Sequence, residues 1–220
     1  MKPANDPHTD YKELVRDGYD AISDVYGAAR APVSDLGALG SVLDRLAPGM
    51  AALDIGCGAG LPVCRALAER GSIIGVDISR AQIESASRNV PTATFLCGDI
   101  MDQDFDRRSF DVVTAFYSIF HLPREEHEPL FRCVYQWLKP GGYFFVTLTK
   151  NGSDAYTEPD FFGVEMYWSN FGMAEYPEML RAIGFEVVEQ GGVGSGFADT
   201  AGFPPEFHPT LLVRRPAATP

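Results

Sequence analysis

Short apolar runs alternate along the chain with stretches in which apolar residues recur every three or four positions. The runs are rich in Val, Ile, Leu and Phe and carry few polar residues, as do strands that are covered on both faces of a parallel sheet. The stretches between them show the spacing of one helix face. We therefore expect strands in MAALDI (50–55), SIIGVD (72–77), ATFL (93–96), FDVVTAF (110–116) and YFFVTL (143–148).

Caps and helix breakers separate these runs. Ser79 is typical of a helix N-cap, whereas Gly71, Pro140-Gly141 and Gly184 are typical of the ends of helices. Strands and helices that alternate in this way, joined by right-handed crossovers, give a doubly wound, Rossmann-like α/β sheet with helices on both faces. The helices are expected within residues 61–71, 79–90, 127–142 and 174–186.

Composition and charge exclude several classes of function. Acidic residues outnumber basic ones 30 to 18, which gives a formal net charge of -12 and argues against nucleic acid and anionic membranes as partners. No apolar run reaches the roughly 18 residues of a membrane span, and the polar first 20 residues do not resemble a signal peptide, so we expect a cytoplasmic location. Four scattered cysteines indicate neither a disulfide framework nor a zinc site.

A glycine-rich turn follows the first predicted strand, in LDIGCGAGLP (53–62). Its third glycine, Gly60, comes one residue too early for the G-x-G-x-x-G of dinucleotide sites. Asp54 would repel a pyrophosphate but would attract a ligand that carries positive charge, such as S-adenosylmethionine. Asp77 ends the next strand, about 20 residues further on, at the usual distance for an acid that accepts hydrogen bonds from ribose hydroxyls.

With these motifs, the chain resembles the class I S-adenosylmethionine-dependent methyltransferases from about Asp54 to Leu148. LDIGCGAG, GVDIS, CGDI and the segment from FDVV to YFFVT look like successive motifs of that family. The resemblance implies a seventh, reversed strand in HPTLLVRR (208–215), paired with FEVVEQ (185–190). It also implies the following cofactor contacts: Asp54, Gly56 and Gly58 at the methionine end, Asp77 at the ribose, Ile78, Asp99 and Ile100 at the adenine, and Phe116 and Tyr117 beside the sulfonium.

Several of these residues have a simpler interpretation. Asp77 is also explained as a cap of the following helix, and Asp99 as part of a plain turn. Cys57 is interpreted as a small filler, since no His is adjacent to it in the sequence. Gln82 lies on the first turn of a helix, where it either reaches the cofactor or is solvated.

The remaining segments are expected to complete a single domain. Residues 1–33 form a helical cover, 34–150 the cofactor-binding core, and 151–174 with 195–208 a mobile aromatic lid over the acceptor. An aromatic wall suits a partly apolar acceptor, although each ring is equally well explained as a plug of the core. The candidate acceptor contacts are Tyr19, Tyr26, Tyr167, Trp168 and His208.

Methyl transfer to a hydroxyl or an acidic carbon needs a general base, and His is the natural one near neutral pH. His121 lies after the fourth strand and is our candidate; its alternative role is to orient the loop through a backbone hydrogen bond. His8 and His127 are expected to be solvated. No pair of Asp residues follows the fourth strand, so we expect no metal.

The sequence thus predicts an enzyme that uses S-adenosylmethionine to methylate an O, N or C atom of a small, partly apolar metabolite, with S-adenosylhomocysteine as the other product. The alternatives are a nicotinamide-dependent oxidoreductase and a protein that binds S-adenosylmethionine without transferring its methyl group. Binding of the cofactor alone, with no methylated acceptor, would distinguish the last of these.

Overall fold

The structure is a computed structural model that describes residues 1–4, 6, 9–30, 36–194 and 207–217. Residues 195–206 of the predicted lid and His8 lie outside the described residues. The helices are α1 Tyr11–Arg30, α2 Leu36–Leu43, α3 Val63–Ala68, α4 Arg80–Asn89, α5 His127–Trp137 and α6 Glu175–Ile183. The strands are β1 Lys2–Pro3, β2 Met50–Ile55, β3 Gly71–Asp77, β4 Thr94–Cys97, β5 Phe110–Ala115, β6 Leu138–Thr147, β7 Ser153–Phe161, β8 Val164–Asn170, β9 Glu186–Val193 and β10 His208–Arg214.

A sheet of seven strands in the order β4-β3-β2-β5-β6-β10-β9 carries the fold. The pairs from β4 to β6 are parallel, whereas β10 runs antiparallel to both β6 and β9. The five strands predicted from apolar runs are all present, and so is the reversed last strand. The prediction of a doubly wound, Rossmann-like α/β sheet is confirmed.

The two faces of this sheet carry separate cores. Leu53 and Val113 pack on the side of α5 and α6, whereas Ala52 and Val112 pack on the side of α2 and α3. The alternation follows from the pleat of a strand, in which successive side chains point to opposite faces. It also fixes the direction of Asp54, which lies on the same face of β2 as Ala52.

The segment predicted as an aromatic lid folds into a hairpin of its own. β7 and β8 pair antiparallel, and β1 adds a short third strand, outside the large sheet. Its inner face packs against α1 through Val15, Ile22, Phe161, Met166 and Tyr167. These side chains therefore join the hairpin to the N-terminal helix.

Two of the predicted helix ends are wrong. Gly71 does not end a helix but begins β3, where a Cβ atom would lie 1.9 Å from the carbonyl oxygen of Met50 on the neighbouring strand. α5 ends at Trp137, before Pro140, because β6 already begins at Leu138. The other two ends are confirmed. The Ser79 side chain caps α4, and Gly184 ends α6 with φ 116°.

Within the part of the chain that the structure describes, no helix combines the length and the apolar character needed to cross a membrane.

Candidate active site

A cleft opens at the carboxyl ends of β2, β3, β4 and β5, and α1 covers it. Its empty space, including the open mouth, is about 740 Å³, within the usual range for a small-molecule site. All the predicted cofactor residues except Asp54 border it: Gly56, Gly58, Asp77, Ile78, Gln82, Asp99, Ile100, Phe116 and Tyr117. The sequence motifs, which are far apart in the chain, therefore meet in one place.

Asp77 fastens the glycine turn to the neighbouring strand. Its Oδ2 atom accepts a hydrogen bond from the N–H of Gly58 at 2.8 Å, and its Oδ1 atom accepts one from the N–H of Ser79 at 2.9 Å. Burial, together with the charge of Asp20, raises the pKa of Asp77 to about 6, against the effect of the two N–H donors. The interpretation of Asp77 as the helix cap is wrong, because Ser79 caps α4 and Asp77 accepts a hydrogen bond from the N–H of that cap residue; the carboxylate also borders the cleft.

Asp54 does not reach the cleft. Its side chain is 2% exposed and accepts hydrogen bonds from the Thr114 hydroxyl at 2.7 Å and from the Cys64 thiol at 3.2 Å. Its place on the α3 face of β2 turns it behind the glycine turn. Burial, together with the charge of Asp77, raises its pKa to about 6, against the effect of the two donors.

Gln82 is a buried amide that has no hydrogen-bond partner within the described residues. It is 1% exposed, borders the cleft, and neither its Nε2 nor its Oε1 atom is bonded. The interpretation as a solvated residue is therefore wrong. An unbonded buried amide costs free energy, so this side chain calls for a ligand that offers both a donor and an acceptor.

Lys12 closes the side of the cleft near β4 and was not singled out in the sequence. Its ammonium donates to Asp99 at 2.6 Å and pairs with Glu126 at 2.5 Å, while Asp99 also accepts from the N–H of Met101. Lys12, Tyr19 and Tyr26 are spaced seven residues apart, which puts them on one face of α1. That spacing is the signal from which Lys12 could have been found.

His121 is buried between α1 and the hairpin. Its Nδ1 atom lies 2.9 Å from the backbone oxygen of Tyr167, and its Nε2 atom lies 2.9 Å from the Tyr19 hydroxyl. Burial lowers the pKa of His121 to about 4, so the ring is neutral near pH 7. The alternative role predicted for it, a backbone hydrogen bond that orients the loop, is present together with a contact to the cleft.

The candidate acceptor contacts divide into two groups. Tyr19 and Tyr26 border the cleft, with their ring centroids 5.1 Å apart. Tyr167, Trp168 and His208 do not border it. Trp168 packs on the His121 ring at 4.3 Å, Tyr167 stacks on Tyr11, and His208 lies edge-on to Tyr117. For Tyr167 and Trp168, which pack into hydrophobic clusters, the structure favours the interpretation as core plugs, whereas His208 is half-buried.

His127 is not solvated as predicted. It is fully buried, with Nδ1 3.0 Å from the Tyr176 hydroxyl, because its helix turns this face toward α6. The described residues contain no group of three or more His, Cys, Asp or Glu side chains that could hold a metal ion.

The fold and the cleft agree with what the resemblance implied, a Rossmann-like sheet with a ligand cleft at the carboxyl ends of its parallel strands. Residues 52–142 match the family described as "Methyltransferase domain". Squalene methyltransferase 2 of Botryococcus braunii is 36% identical over 107 residues, which are 46% of this chain and 28% of that protein. The chain spans about half or less of the length of the curated relatives it matches.

Solved structures extend the likeness over nearly the whole chain. The 1,6-didemethyltoxoflavin-N1-methyltransferase of Burkholderia thailandensis, solved with S-adenosylhomocysteine, has a TM-score of 0.69 at 20% identity and covers 97% of this chain and 94% of its own. The [4+2]-cyclase SpnF has a TM-score of 0.70 at 20% identity and covers 92% and 95%. The fold is thus shared by proteins described by different reactions.

Proposed function

We propose that this protein transfers the methyl group of S-adenosylmethionine to an O, N or C atom of a small, partly apolar acceptor. The observation that carries the proposal is the single cleft in which the glycine turn, Asp77, Gln82 and Asp99 meet at the carboxyl edge of the sheet. The match of residues 52–142 to a methyltransferase domain supports it.

The residues of the cleft suit this cofactor. Gly58 leaves room at the methionine end, since a Cβ there would point toward the Gln82 amide at 3.8 Å. Asp77 retains lone pairs for the ribose hydroxyls, and Gln82 offers the donor and the acceptor that its own surroundings leave unused. Asp99 and Ile100 lie on the adenine side. When bound, the cofactor supplies a methyl carbon that is activated by its sulfonium.

The opposite end of the cleft indicates the character of the acceptor. The charged residues that border the cleft, Lys12, Asp77 and Asp99, belong to the side assigned to the cofactor. The rings of Tyr19, Tyr26, Phe116 and Tyr117 form the other side, and an aromatic wall favours an uncharged, partly apolar molecule. The names of relatives such as squalene methyltransferase 2 and sterol 24-C-methyltransferase describe acceptors of that kind.

Loss of the Asp77 carboxylate tests the cofactor site. Asp77→Ala is expected to weaken S-adenosylhomocysteine binding by about 2 to 4 kcal/mol, the loss typical of charge-assisted hydrogen bonds. Titration calorimetry measures it, with thermal unfolding as a check on the fold. Asp104→Ala removes an exposed carboxylate outside the cleft and serves as the matched control. Unchanged affinity in Asp77→Ala would refute the assignment.

Methyl transfer itself is tested with isotopically labelled S-adenosylmethionine and pools of small molecules, with mass spectrometry of whatever gains the label. Cofactor binding without any labelled product would favour a protein that does not methylate, and the likeness to a [4+2]-cyclase keeps that alternative open. Binding of NADH in place of S-adenosylhomocysteine would favour an oxidoreductase. The absence of nucleic-acid and membrane partners stays a prediction, supported by the net charge of -12, and so does the cytoplasmic location, which was expected from the polar first 20 residues.

A further inference from the structure

The hydrogen bonds of His121 determine which of its nitrogens carries the proton. The backbone oxygen of Tyr167 can only accept, so Nδ1–H of His121 donates to it. In a neutral ring Nε2 is then a bare acceptor, and the Tyr19 hydroxyl donates to it. Both nitrogens of His121 are thus taken by protein groups, although the ring borders the cleft. A direct contact between His121 and an acceptor would require Tyr19 to move away.

In the hydrogen-bonded pair of Tyr19 and His121, Tyr19 is the residue that an acceptor would meet first. Its ring borders the cleft on the side of Tyr26 and Phe116, and its oxygen is bonded to Nε2 of His121. Burial raises the pKa of Tyr19 well above its ordinary value, and the neighbouring Tyr26 and Asp77 act in the same direction, whereas Arg30 opposes them. A free phenolate is therefore disfavoured, and a proton that arrives at Tyr19 has to be matched by one that leaves it.

The geometry places Nε2 of His121 within reach of that proton, while burial lowers the pKa of the ring to about 4 and leaves Nε2 unprotonated at rest. The rings of Phe120 and Trp168 pack on it at 5.2 and 4.3 Å, and among the described residues its hydrogen-bond partners are the Tyr167 carbonyl and the Tyr19 hydroxyl. The Nδ1–H bond to the carbonyl holds the ring in place and stabilises the charged form once Nε2 is protonated.

We infer that Tyr19 is the catalytic residue that takes the proton of the acceptor, and that His121 is the positioning residue behind it. The inference rests on the proposed methyl transfer. An O–H or acidic C–H of the acceptor gives its proton to the Tyr19 oxygen, and the Tyr19 proton passes to Nε2 of His121. The electron pair left on the acceptor forms the bond to the methyl carbon while the bond from that carbon to sulfur breaks, leaving a neutral thioether. Tyr19 ends neutral, and His121 returns its proton to solvent after product release.

The resting hydrogen bonds are tested without cofactor or acceptor. The ¹⁵N NMR shifts of the His121 ring are expected to report a neutral Nδ1–H tautomer near pH 7, with an Nε2 shift that changes in Tyr19→Phe because the hydroxyl donor is lost. A His121 ring that carries its proton on Nε2 would overturn the inference. This measurement does not depend on methyl transfer, so it separates a failure of the pair from a failure of the proposed function.

Turnover tests the proton transfer once an acceptor has been found. Tyr19→Phe is expected to keep S-adenosylhomocysteine affinity within about threefold and to lower kcat by roughly 10² to 10⁴, the usual contribution of a general base. Tyr11→Phe lies on the same helix outside the cleft and is the control, with kcat unchanged. Full turnover in Tyr19→Phe, with an active wild type, would overturn the inference.

A pH profile separates positioning by His121 from a merely structural role. In His121→Gln the Tyr19 proton has no nearby acceptor and must go to solvent, so kcat is expected to be low near pH 7 and to rise steadily with pH. In Tyr19→Phe no such rise is expected. A His121→Gln profile parallel to that of the wild type would show that His121 takes no part in the transfer.

Discussion

The two walls of the cleft are built in different ways. The cofactor wall comes from the large sheet and consists of backbone and short polar side chains at the ends of neighbouring strands, such as Gly56, Gly58 and Asp77. The acceptor wall consists of aromatic rings, and its Tyr19 and Tyr26 come from α1, which rests on the β7–β8 hairpin outside the large sheet. One wall is set by main-chain hydrogen bonds and the other mainly by the packing of rings.

This difference separates what is fixed in the site from what can vary. Backbone at the end of a parallel strand cannot move without disturbing the sheet, so the cofactor wall suits one ligand of constant shape. Polar contacts hold α1 over the cleft: Lys12 pairs with Asp99 and Glu126, Asp20 accepts hydrogen bonds from the start of α4, and Tyr19 bonds to His121. A few ring substitutions would reshape the acceptor wall and leave the cofactor wall intact.

The largest expected effect tests the rigidity of the cofactor wall. Gly56 has φ 67°, and a Cβ there would lie 2.2 Å from Cβ of Ser118. Gly56→Ala therefore combines left-handed strain with overpacking, and we expect a loss of about 2 to 5 kcal/mol in the free energy of unfolding, measured by denaturant titration.

Gly58→Ala is the matched variant of that experiment. It has the same strain, with φ 52°, but its nearest neighbour is the Gln82 Oε1 atom at 3.8 Å. A loss of only about 1 to 2 kcal/mol is expected from strain alone. Equal losses in Gly56→Ala and Gly58→Ala would show that the close approach to Ser118 does not limit the turn.

The next effect concerns Asp54, which lies behind the cofactor wall. Its folded pKa, raised to about 6, means that its contribution to stability is present below about pH 3.8 and is lost as the pH rises through 6. Asp54→Asn removes this pH-dependent loss of stability, because asparagine does not ionise. The difference in unfolding free energy between variant and wild type should rise from pH 4 to pH 7 by up to about 3 kcal/mol, at about 1.4 kcal/mol per pKa unit.

The same variant decides whether Asp54 takes part in cofactor binding, as its place in the motif predicts. Because its carboxylate faces Thr114 and Cys64, we expect S-adenosylhomocysteine affinity to change by less than about threefold. A tenfold or larger loss, measured by calorimetry, would return Asp54 to the cofactor wall. Denaturant titrations at several pH values supply the stability comparison.

The sequence predicted the cofactor wall far better than the acceptor wall, and the reason is physical. Asp77 ends a strand, and Gly58 and Asp99 follow one within three residues, so the order of strands is enough to bring them together. The positions of Trp168 and His208 depend on which face of a hairpin or edge strand packs inward, and composition does not determine that. Tyr19 and Tyr26 were found because both lie on the N-terminal helix that was predicted to cover the cofactor.

Asp54 and Gly71 show what could not be predicted from the sequence even within short motifs. Both were interpreted from their neighbours in the sequence. The pleat of β2, however, determines which face of the strand Asp54 occupies, and the close approach of the Met50 backbone on the neighbouring strand explains the glycine at position 71. The motif named the right stretch of chain. It did not give the direction of each side chain, which requires the register of the sheet.

The smallest expected effect concerns the contact that joins the two walls. Lys12 bridges α1 to Asp99 and Glu126 with side chains that are 20%, 17% and 30% exposed, so solvent screens the pairs in part. Lys12→Met is expected to cost about 1 kcal/mol of unfolding free energy, less at high salt, and to speed hydrogen exchange in α1 while exchange in β2 and β3 stays unchanged. Arg16→Met, which removes more exposed pairs on the same helix, is the control. S-adenosylhomocysteine should slow exchange in α1 and in the β7–β8 hairpin of the wild type if these elements close over the ligand as predicted. Exchange that rises equally in α1 and in β2 on Lys12→Met would mean that both walls move as one unit, and the distinction between them would not hold.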